Sequence, residues 1–239
     1  MNRKAAGIKT KEISDSVTVN YSEDHWELLL SKRKKALSIM KILSEHTIEP
    51  LLYGSLTRGD VSQTSDIDLF IPYQISSFKI ETALLQGNLK IYGKKIVQAT
   101  PKHLVKAHLM LSEDITITYP LTSMREREFD FIQFGGSLDY EGLKENKRVP
   151  GVDKRLLLIE PTEEGHIESP VVGFESIVAK KIKVSVGLVR ERVRILTTRD
   201  KVGRTGVYLD HELSPDDNIE EAFKQLMDRD PILRRRANI

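Results

Sequence analysis

The sequence contains no cysteine among its 239 residues. This absence excludes disulfide bonds, thiolate zinc sites, iron–sulfur clusters and a cysteine nucleophile. Long apolar runs are also missing: the longest unbroken aliphatic run, Leu156 to Ile159, is far shorter than the ~20 residues of a membrane helix. The basic start, Met1 to Lys4, is not followed by an apolar stretch of signal-peptide length. We therefore expect a cytoplasmic protein that has no membrane partner.

The chain also lacks a strong excess of charge of either sign. It has 37 Lys and Arg against 35 Asp and Glu, 39% apolar residues and 30% charged residues. This composition is that of a globular protein with one large domain or two modest ones. The sequence contains no Gly-rich phosphate loop, no Gly-x-Gly-x-x-Gly, no His-Glu-x-x-His and no Gly-x-Ser-x-Gly, so the site classes that depend on these motifs are excluded.

Hydrophobic periodicity predicts a chain that contains both strands and helices. The predicted strands are 17–21, 51–53, 66–71, 95–99, 114–119, 128–134 and 154–159. The predicted helices are 22–43, 78–89, 101–111, a long helix from Ser169-Pro170 to Leu196, and a last helix from Ser214-Pro215 through Met227. A polar stretch ending in Pro150-Gly151 is a candidate boundary.

The predicted organisation is a first domain at 1–150, which contains most of the predicted strands, and a mostly helical region at 151–239. Residues 170–201 carry eight Lys or Arg against three acids. This basic stripe is either a solvated helix face or a track for the phosphates of an acceptor. The second interpretation assigns the C-terminal region a possible role in acceptor binding.

Two aspartates, Asp66 and Asp68, stand two residues apart in an apolar strand. Side chains alternate along a strand, so both carboxylates project from one face, roughly 6.6 Å apart at the backbone. Like charges at this spacing repel unless a cation compensates them, and carboxylate oxygens suit Mg²⁺ or Mn²⁺. The alternative is a solvent-facing strand with two exposed aspartates.

A possible phosphate seat precedes this pair. Gly54 and Ser55 follow the apolar run 51–53. A glycine lets the backbone approach a ligand, and the following amides with a serine hydroxyl can hold phosphate oxygens. The ten residues between Ser55 and Asp66 allow one short helix and a turn, which would bring the second strand back beside the first. Phosphates and metal ligands would then share one cleft.

These residues together resemble the nucleotidyltransferase superfamily named for DNA polymerase beta, whose signature is hydrophobic-Gly-Ser, about ten residues, then Asp-hydrophobic-Asp. The match is Tyr53-Gly54-Ser55 followed by Asp66-Ile67-Asp68. The resemblance implies an α+β core with a small mixed sheet flanked by helices, and a site with two divalent metals, Mg²⁺ or Mn²⁺. It also implies transfer of a nucleoside monophosphate from a nucleoside triphosphate to an acceptor, with release of pyrophosphate.

The superfamily uses a third carboxylate on a later strand. We assign it to Asp130, because Phe129 and Phe131 on either side are expected to be buried, which would place the carboxylate on the opposite face. The order of a strand, a charged turn and then this acid looks like that of tRNA CCA-adding enzymes. Asp114 is the alternative. Arg58, shortly after the phosphate seat, is expected either to contact a phosphate or to be an ordinary surface arginine.

Two functions remain open at this point. The first is a metal-dependent nucleotidyltransferase that uses Asp66, Asp68 and Asp130, and whose acceptor is an RNA, a small molecule or a protein. The second is a catalytically degenerate module of the same fold that binds nucleotide or nucleic acid without turnover. The sequence does not name the base of the triphosphate, the acceptor or the oligomeric state.

Overall fold

A computed structural model describes residues 15–203 and 206–237. The basic start of the chain, Met1 to Lys4, lies outside the described residues. The helices are α1 (Glu23–Glu45), α2 (Ser55–Arg58), α3 (Ser77–Gln86), α4 (Glu126–Phe134), α5 (Tyr140–Lys144), α6 (Glu175–Ile182), α7 (Val186–Val202), α8 (Ile219–Arg229) and α9 (Pro231–Ala237). The strands are β1 (Val17–Asn20), β2 (Leu51–Tyr53), β3 (Ile67–Phe70), β4 (Gly93–Gln98), β5 (Val105–Met110), β6 (Ile115–Pro120), β7 (Ser137–Leu138), β8 (Gly151–Val152), β9 (Leu157–Thr162), β10 (Gly165–Pro170) and β11 (Leu209–Leu213). In the described part of the chain, no helix is long and apolar enough to cross a membrane.

The larger of two sheets has seven strands in the order β11-β4-β5-β6-β3-β2-β7. Strands β3 and β6 pair in parallel, and the other neighbours pair antiparallel. One face carries fully buried side chains such as Leu52, Ile67, Leu69 and Ile117, which belong to the largest core cluster. The mixed sheet and the α+β class are as expected from the sequence.

The smaller sheet is antiparallel and has the order β1-β10-β9-β8. It is tied to the connection before β8 by Arg148, which donates to the carbonyl oxygens of Gly165 (2.8 Å) and Thr162. Tyr21, just after β1, forms a 2.7 Å hydrogen bond between its hydroxyl and Nδ1 of His166 on β10. The start of the chain and its middle therefore form one sheet.

The helix predicted at 101–111 is wrong, because residues 105–110 form strand β5. Val105, Ala107 and Leu109 are fully buried, so apolar side chains recur at every second residue. This is the period of a strand and not of a helix. The turn before β5 begins with Pro101, and proline is also common at the first position of a helix.

The strand predicted at 128–134 is also wrong, because this segment lies in helix α4. Phe129 and Phe131, whose alternation predicted the strand, are 44% and 41% exposed. The backbone N–H of Arg125 donates to the Glu128 carboxylate at 2.7 Å, the contact that closes a helix start. The capping interaction at Arg125 therefore favours a helix over the strand that the alternating phenylalanines predicted.

The C-terminal region contains the predicted helices and also strands that the sequence did not predict. Residues 165–170 form β10, and the predicted long helix divides into α6 and α7 at Lys183, which has a positive φ of 56°. Strand β11 pairs with β4, and Ile219 and Phe223 of α8 lie in the same core cluster as the large sheet. The predicted segments 1–150 and 151–239 therefore share both sheets and one core.

Candidate active site

The unit β2–α2–β3 brings the sequence motif together. Strand β2 pairs antiparallel with β3 so that Tyr53 stands opposite Asp68. Ile67 and Leu69 are fully buried in the core, so Asp66 and Asp68 project from the other face of the sheet. Because the chain leaves β2 directly after Tyr53, the predicted phosphate seat begins beside the second aspartate.

Gly54 adopts a backbone conformation that requires glycine, with φ at +91°. A Cβ atom built at this position meets nothing within 4 Å, so the space beside the backbone is open. The Gly54 N–H donates to the carbonyl of Gly136 at 3.0 Å, and its carbonyl accepts from the Thr57 hydroxyl at 2.8 Å. The Ser55 hydroxyl donates to Ser65 over a long 3.3 Å. The turn is therefore held from behind, while its open side is available to a ligand.

The aspartate pair is electrostatically strained. Burial and, to a smaller extent, the neighbouring Asp66 carboxylate together raise the pKa of Asp68 to about 6, against the opposing effect of Lys154 and Lys106. Burial and both carboxylates also raise the pKa of Tyr53. A divalent cation would relieve this repulsion, and two carboxylates are a donor set that Mg²⁺ accepts together with substrate phosphates. The residues present thus fit such an ion.

The structure does not bring Asp130 together with Asp66 and Asp68. Its carboxylate accepts a 3.0 Å hydrogen bond from the backbone N–H of Ser185, ahead of α7. The premise of the assignment, a strand with two buried phenylalanines, does not hold. Across residues 15–203 and 206–237, no three His, Asp or Glu side chains are placed to hold one metal ion jointly.

Asp114, the alternative, has its backbone beside the pair. Strand β6 runs parallel to β3 with Ile67 opposite Ile115 and Asp68 opposite Thr116, so Asp114 precedes β6 as Asp66 precedes β3. The Ile67 N–H donates to the Asp114 carbonyl at 2.7 Å. The Asp114 carboxylate accepts from the Ser112 hydroxyl at 2.6 Å, and this hydrogen bond lowers its pKa.

Arg58 is neither a surface arginine nor a free phosphate ligand. Its buried guanidinium donates twice to the Asp60 carboxylate, each time at 2.9 Å, and once to the carbonyl of Gly135. These contacts fix the floor of the turn after Gly54. These contacts do not involve a phosphate, so the phosphate-binding role of Arg58 stays a prediction.

Sequence reasoning missed the basic side chains near the pair. On β5, Lys106 and His108 alternate with buried residues and so lie on the face of Asp68. Lys106 lies within electrostatic range of both Asp68 and Glu128, and burial lowers its pKa. His108 hydrogen-bonds the Thr118 hydroxyl at 2.7 Å, and burial lowers its pKa to about 3, which keeps it neutral. The alternation in residues 105–110 was the signal that could have revealed them.

Part of the chain is similar to known proteins in sequence or in structure. No curated protein shows significant sequence similarity to the chain. Among solved structures, a crystal structure of the Cid1 poly (U) polymerase with MgGTP bound is similar, at 16% sequence identity and a TM-score of 0.26. This match covers 42% of the present chain and 33% of that chain, so it spans about a third of the polymerase.

A sequence model of the nucleotidyltransferase domain matches residues 33–162. This segment is more than half of the chain, and it contains the open turn at Gly54, the aspartate pair and both candidates for a third carboxylate. The chain therefore belongs to the nucleotidyltransferase domain family.

Proposed function

We propose that the protein is a metal-dependent nucleotidyltransferase. It transfers a nucleoside monophosphate from a nucleoside triphosphate to a hydroxyl of an acceptor and releases pyrophosphate. The observation that carries this proposal is the placement of Asp66 and Asp68 on one face of β3, next to the open turn at Gly54. Family membership supports the same class of reaction.

The residues of the site have two roles: some compensate the charge of the phosphates, and others position the reactants. Asp66 and Asp68 would hold Mg²⁺, or Mn²⁺, which supplies positive charge to the phosphates and acidifies the acceptor hydroxyl. Gly54 leaves room for the phosphates to approach the backbone. Ser55, whose present hydrogen bond to Ser65 is long, would turn its hydroxyl to a phosphate oxygen. The protein thus positions the reactants and compensates their charge.

We assign the third carboxylate of this site to Asp114 in preference to Asp130. The register of β3 and β6 supports this choice, because it places Asp114 at the level of Asp66. The Asp130 carboxylate instead accepts a hydrogen bond from the backbone N–H of Ser185. With substrate bound, the Asp114 carboxylate would exchange its hydrogen bond to Ser112 for the metal site, where it is able to take the proton of the acceptor hydroxyl.

The second candidate is a module that binds nucleotide without turnover. One observation favours it: among the described residues, no third carboxylate stands clustered with Asp66 and Asp68 in the ligand-free arrangement. In such a module, the aspartate pair would still hold a metal–nucleotide complex, but nothing would accept the proton of an acceptor.

Incubation with α-labelled nucleoside triphosphates separates the two candidates. The protein is mixed with each triphosphate, Mg²⁺ and separate RNA, protein and metabolite fractions, and both labelled product and free pyrophosphate are measured. We expect label in one fraction and pyrophosphate release, both abolished by Asp66→Asn and by Asp68→Asn. Calorimetric binding of Mn²⁺–nucleotide without either product would favour the binding module. No binding and no product would contradict both.

A further inference from the structure

The surface where α4 meets α7 exposes aromatic side chains in a basic setting. Phe129 is 44% and Phe131 41% exposed, which is uncommon for a residue that usually contributes to cores. Asp130 between them accepts a hydrogen bond from the N–H of Ser185, the residue that caps α7. The two helices are thereby held together at this point, with both rings at the surface.

Phe131 forms a cation–π pair with an arginine of α7. The Arg192 guanidinium of α7 lies 4.8 Å from the centre of the Phe131 ring and 6.0 Å from that of Phe134. Its Nε is buried without a hydrogen-bond partner. The rest of the Arg192 side chain is partly exposed. An Arg–aromatic pair at the surface is a combination that a nucleotide can use, because a base stacks on the ring while a phosphate accepts from the exposed part of the guanidinium.

The charge around this pair is positive. The acid of α7 nearest to α4, Glu191, is within 3.8 Å of Arg127 and 3.9 Å of His103. Arg127 is nevertheless 73% exposed. Arg199, about two turns beyond Arg192 on the same side of α7, is exposed and acts electrostatically on it. Of the acids on α4, Glu128 pairs with Arg236 and Asp130 accepts from the Ser185 N–H, while the exposed Glu126 offsets part of the positive charge.

We propose that this α4–α7 surface, defined by Arg127, Phe131, Arg192 and Arg199, binds a single-stranded nucleic acid. Unpaired bases stack on the exposed ring, and the phosphates contact the arginines. A duplex hides the faces of its bases, so it offers no partner to an exposed phenylalanine.

The proposal rests on the proposed function, for which the bound strand is the acceptor. Helix α4 packs beside the aspartate pair, because its Ile132 belongs to the same hydrophobic cluster as Tyr53 of β2 and Phe70 of β3, which lies two residues after Asp68. Helix α4 therefore borders the same side of the large sheet as the aspartate pair.

The test measures fluorescence anisotropy of labelled RNA and DNA strands of about 12 nucleotides, a length in the range of known single-strand sites. We expect the full chain to bind these strands and to bind a duplex of the same sequence at least tenfold more weakly. Phe131→Ala should weaken strand binding about tenfold, while Phe131→Trp should preserve it. The matched control is Phe78→Ala, since Phe78 is 75% exposed on α3, a different helix.

A second variant pair removes charge without touching a packed ring. The double variant Arg127→Ala with Arg199→Ala should lower the slope of log affinity against log salt by about 1.4, the value expected for two lost phosphate contacts to a single strand. Its control is the double variant Lys34→Ala with Lys35→Ala in the basic run of α1, where both side chains are exposed.

The proposal fails if the wild-type chain does not bind single strands, if it binds duplex equally well, or if the control variants lose as much affinity as the α4–α7 variants. Nucleotide binding is measured in parallel by calorimetry with Mn²⁺. Intact strand binding with no nucleotide binding would contradict the proposed function alone, and the reverse result would contradict this inference alone.

Discussion

At the scale of single residues, the metal-free protein carries an unfavourable charge at the site. Asp68 is buried beside Asp66, and both effects disfavour its ionised form, so that its pKa is about 6. An unfolded chain has its aspartate pKa near 3.9. Folding therefore costs free energy at Asp68 whenever the carboxyl group is ionised, and a bound cation would remove that cost.

The first prediction concerns Asp68→Asn in the presence of a chelator. Because the folded pKa is raised, the penalty is fully present above about pH 6 and declines as the pH falls toward 4, where Asp68 is protonated in the folded state and about half protonated in the unfolded state. We expect the variant to be more stable than wild type by about 1–3 kcal/mol near pH 8, with little difference near pH 4. Urea denaturation at the two pH values measures this. Equal stability near pH 8 would show that Asp68 is not strained.

The second prediction concerns Gly54. Alanine at a φ of +91° is strained, and we expect Gly54→Ala to lower the free energy of unfolding by about 1–2 kcal/mol. The added methyl group would also occupy the open side of the turn and weaken nucleotide binding. Gly206→Ala is the control, because a Cβ atom there also meets nothing within 4 Å and no positive φ is required. Unchanged nucleotide affinity in Gly54→Ala would place the phosphates elsewhere.

At the scale of elements, the helical conformation of α4 gives the Asp130 carboxylate a different position from the one expected on a strand. On a strand, this carboxylate would have faced away from two buried rings, whereas on the helix it caps the approach to α7 through Ser185. Strand β6 has the opposite effect on Asp114, because parallel pairing with β3 brings its backbone to Asp66. The structure thus gives Asp130 a contact with α7 and gives Asp114 a backbone contact with the strand that carries the aspartate pair.

The third prediction separates these roles. Asp114→Ala should weaken binding of Mn²⁺–nucleotide about tenfold or more through loss of a charged ligand, with a small effect on stability. Asp130→Ala should leave that affinity unchanged and lower stability by about 1 kcal/mol, because it breaks one hydrogen bond between α4 and α7. Calorimetry and thermal unfolding of both variants measure this. The opposite pattern would return the third carboxylate to Asp130.

At the scale of the whole molecule, both ends of the described chain enter structures built by its middle. Strand β1 pairs with β10, and β11 pairs with β4 of the large sheet. Helix α8 inserts Ile219 and Phe223 into the core that also holds Leu52 and Ile67. Unfolding of the C-terminal part would therefore expose the core beneath the active site.

The fourth prediction is that Phe223→Ala destabilises the entire molecule. Phe223 is 7% exposed, and its truncation should cost about 3–5 kcal/mol. We expect one cooperative transition that shifts to lower temperature, including the signal of Trp26 on α1, which packs against the same core. Truncation of the exposed Phe78 serves as control. Two transitions, with the tryptophan signal unshifted, would indicate separate domains divided near residue 150.

The sequence by itself determined the local features of this protein. The Gly54-Ser55 turn, the Asp66–Asp68 pair and the α1 start at Ser22, whose hydroxyl accepts from the His25 N–H, depend on neighbouring residues, so spacing and residue type suffice to predict them. The mixed sheet follows from the same motif and its family resemblance. These features carry the nucleotide-binding half of the proposed function.

Only the tertiary structure decided which distant side chains join them. The long-range fold bound Arg58 to the carbonyl of Gly135, 77 residues further on. The register of β5 placed Lys106 on the face of Asp68, and a parallel pairing across about 50 residues of chain set Asp114 beside Asp66. Phe129 and Phe131 alternate as they would in a strand, yet a helix cap and packing against α7 make the segment helical. Sheet register and long-range packing arise from the whole core, which no short window of sequence contains.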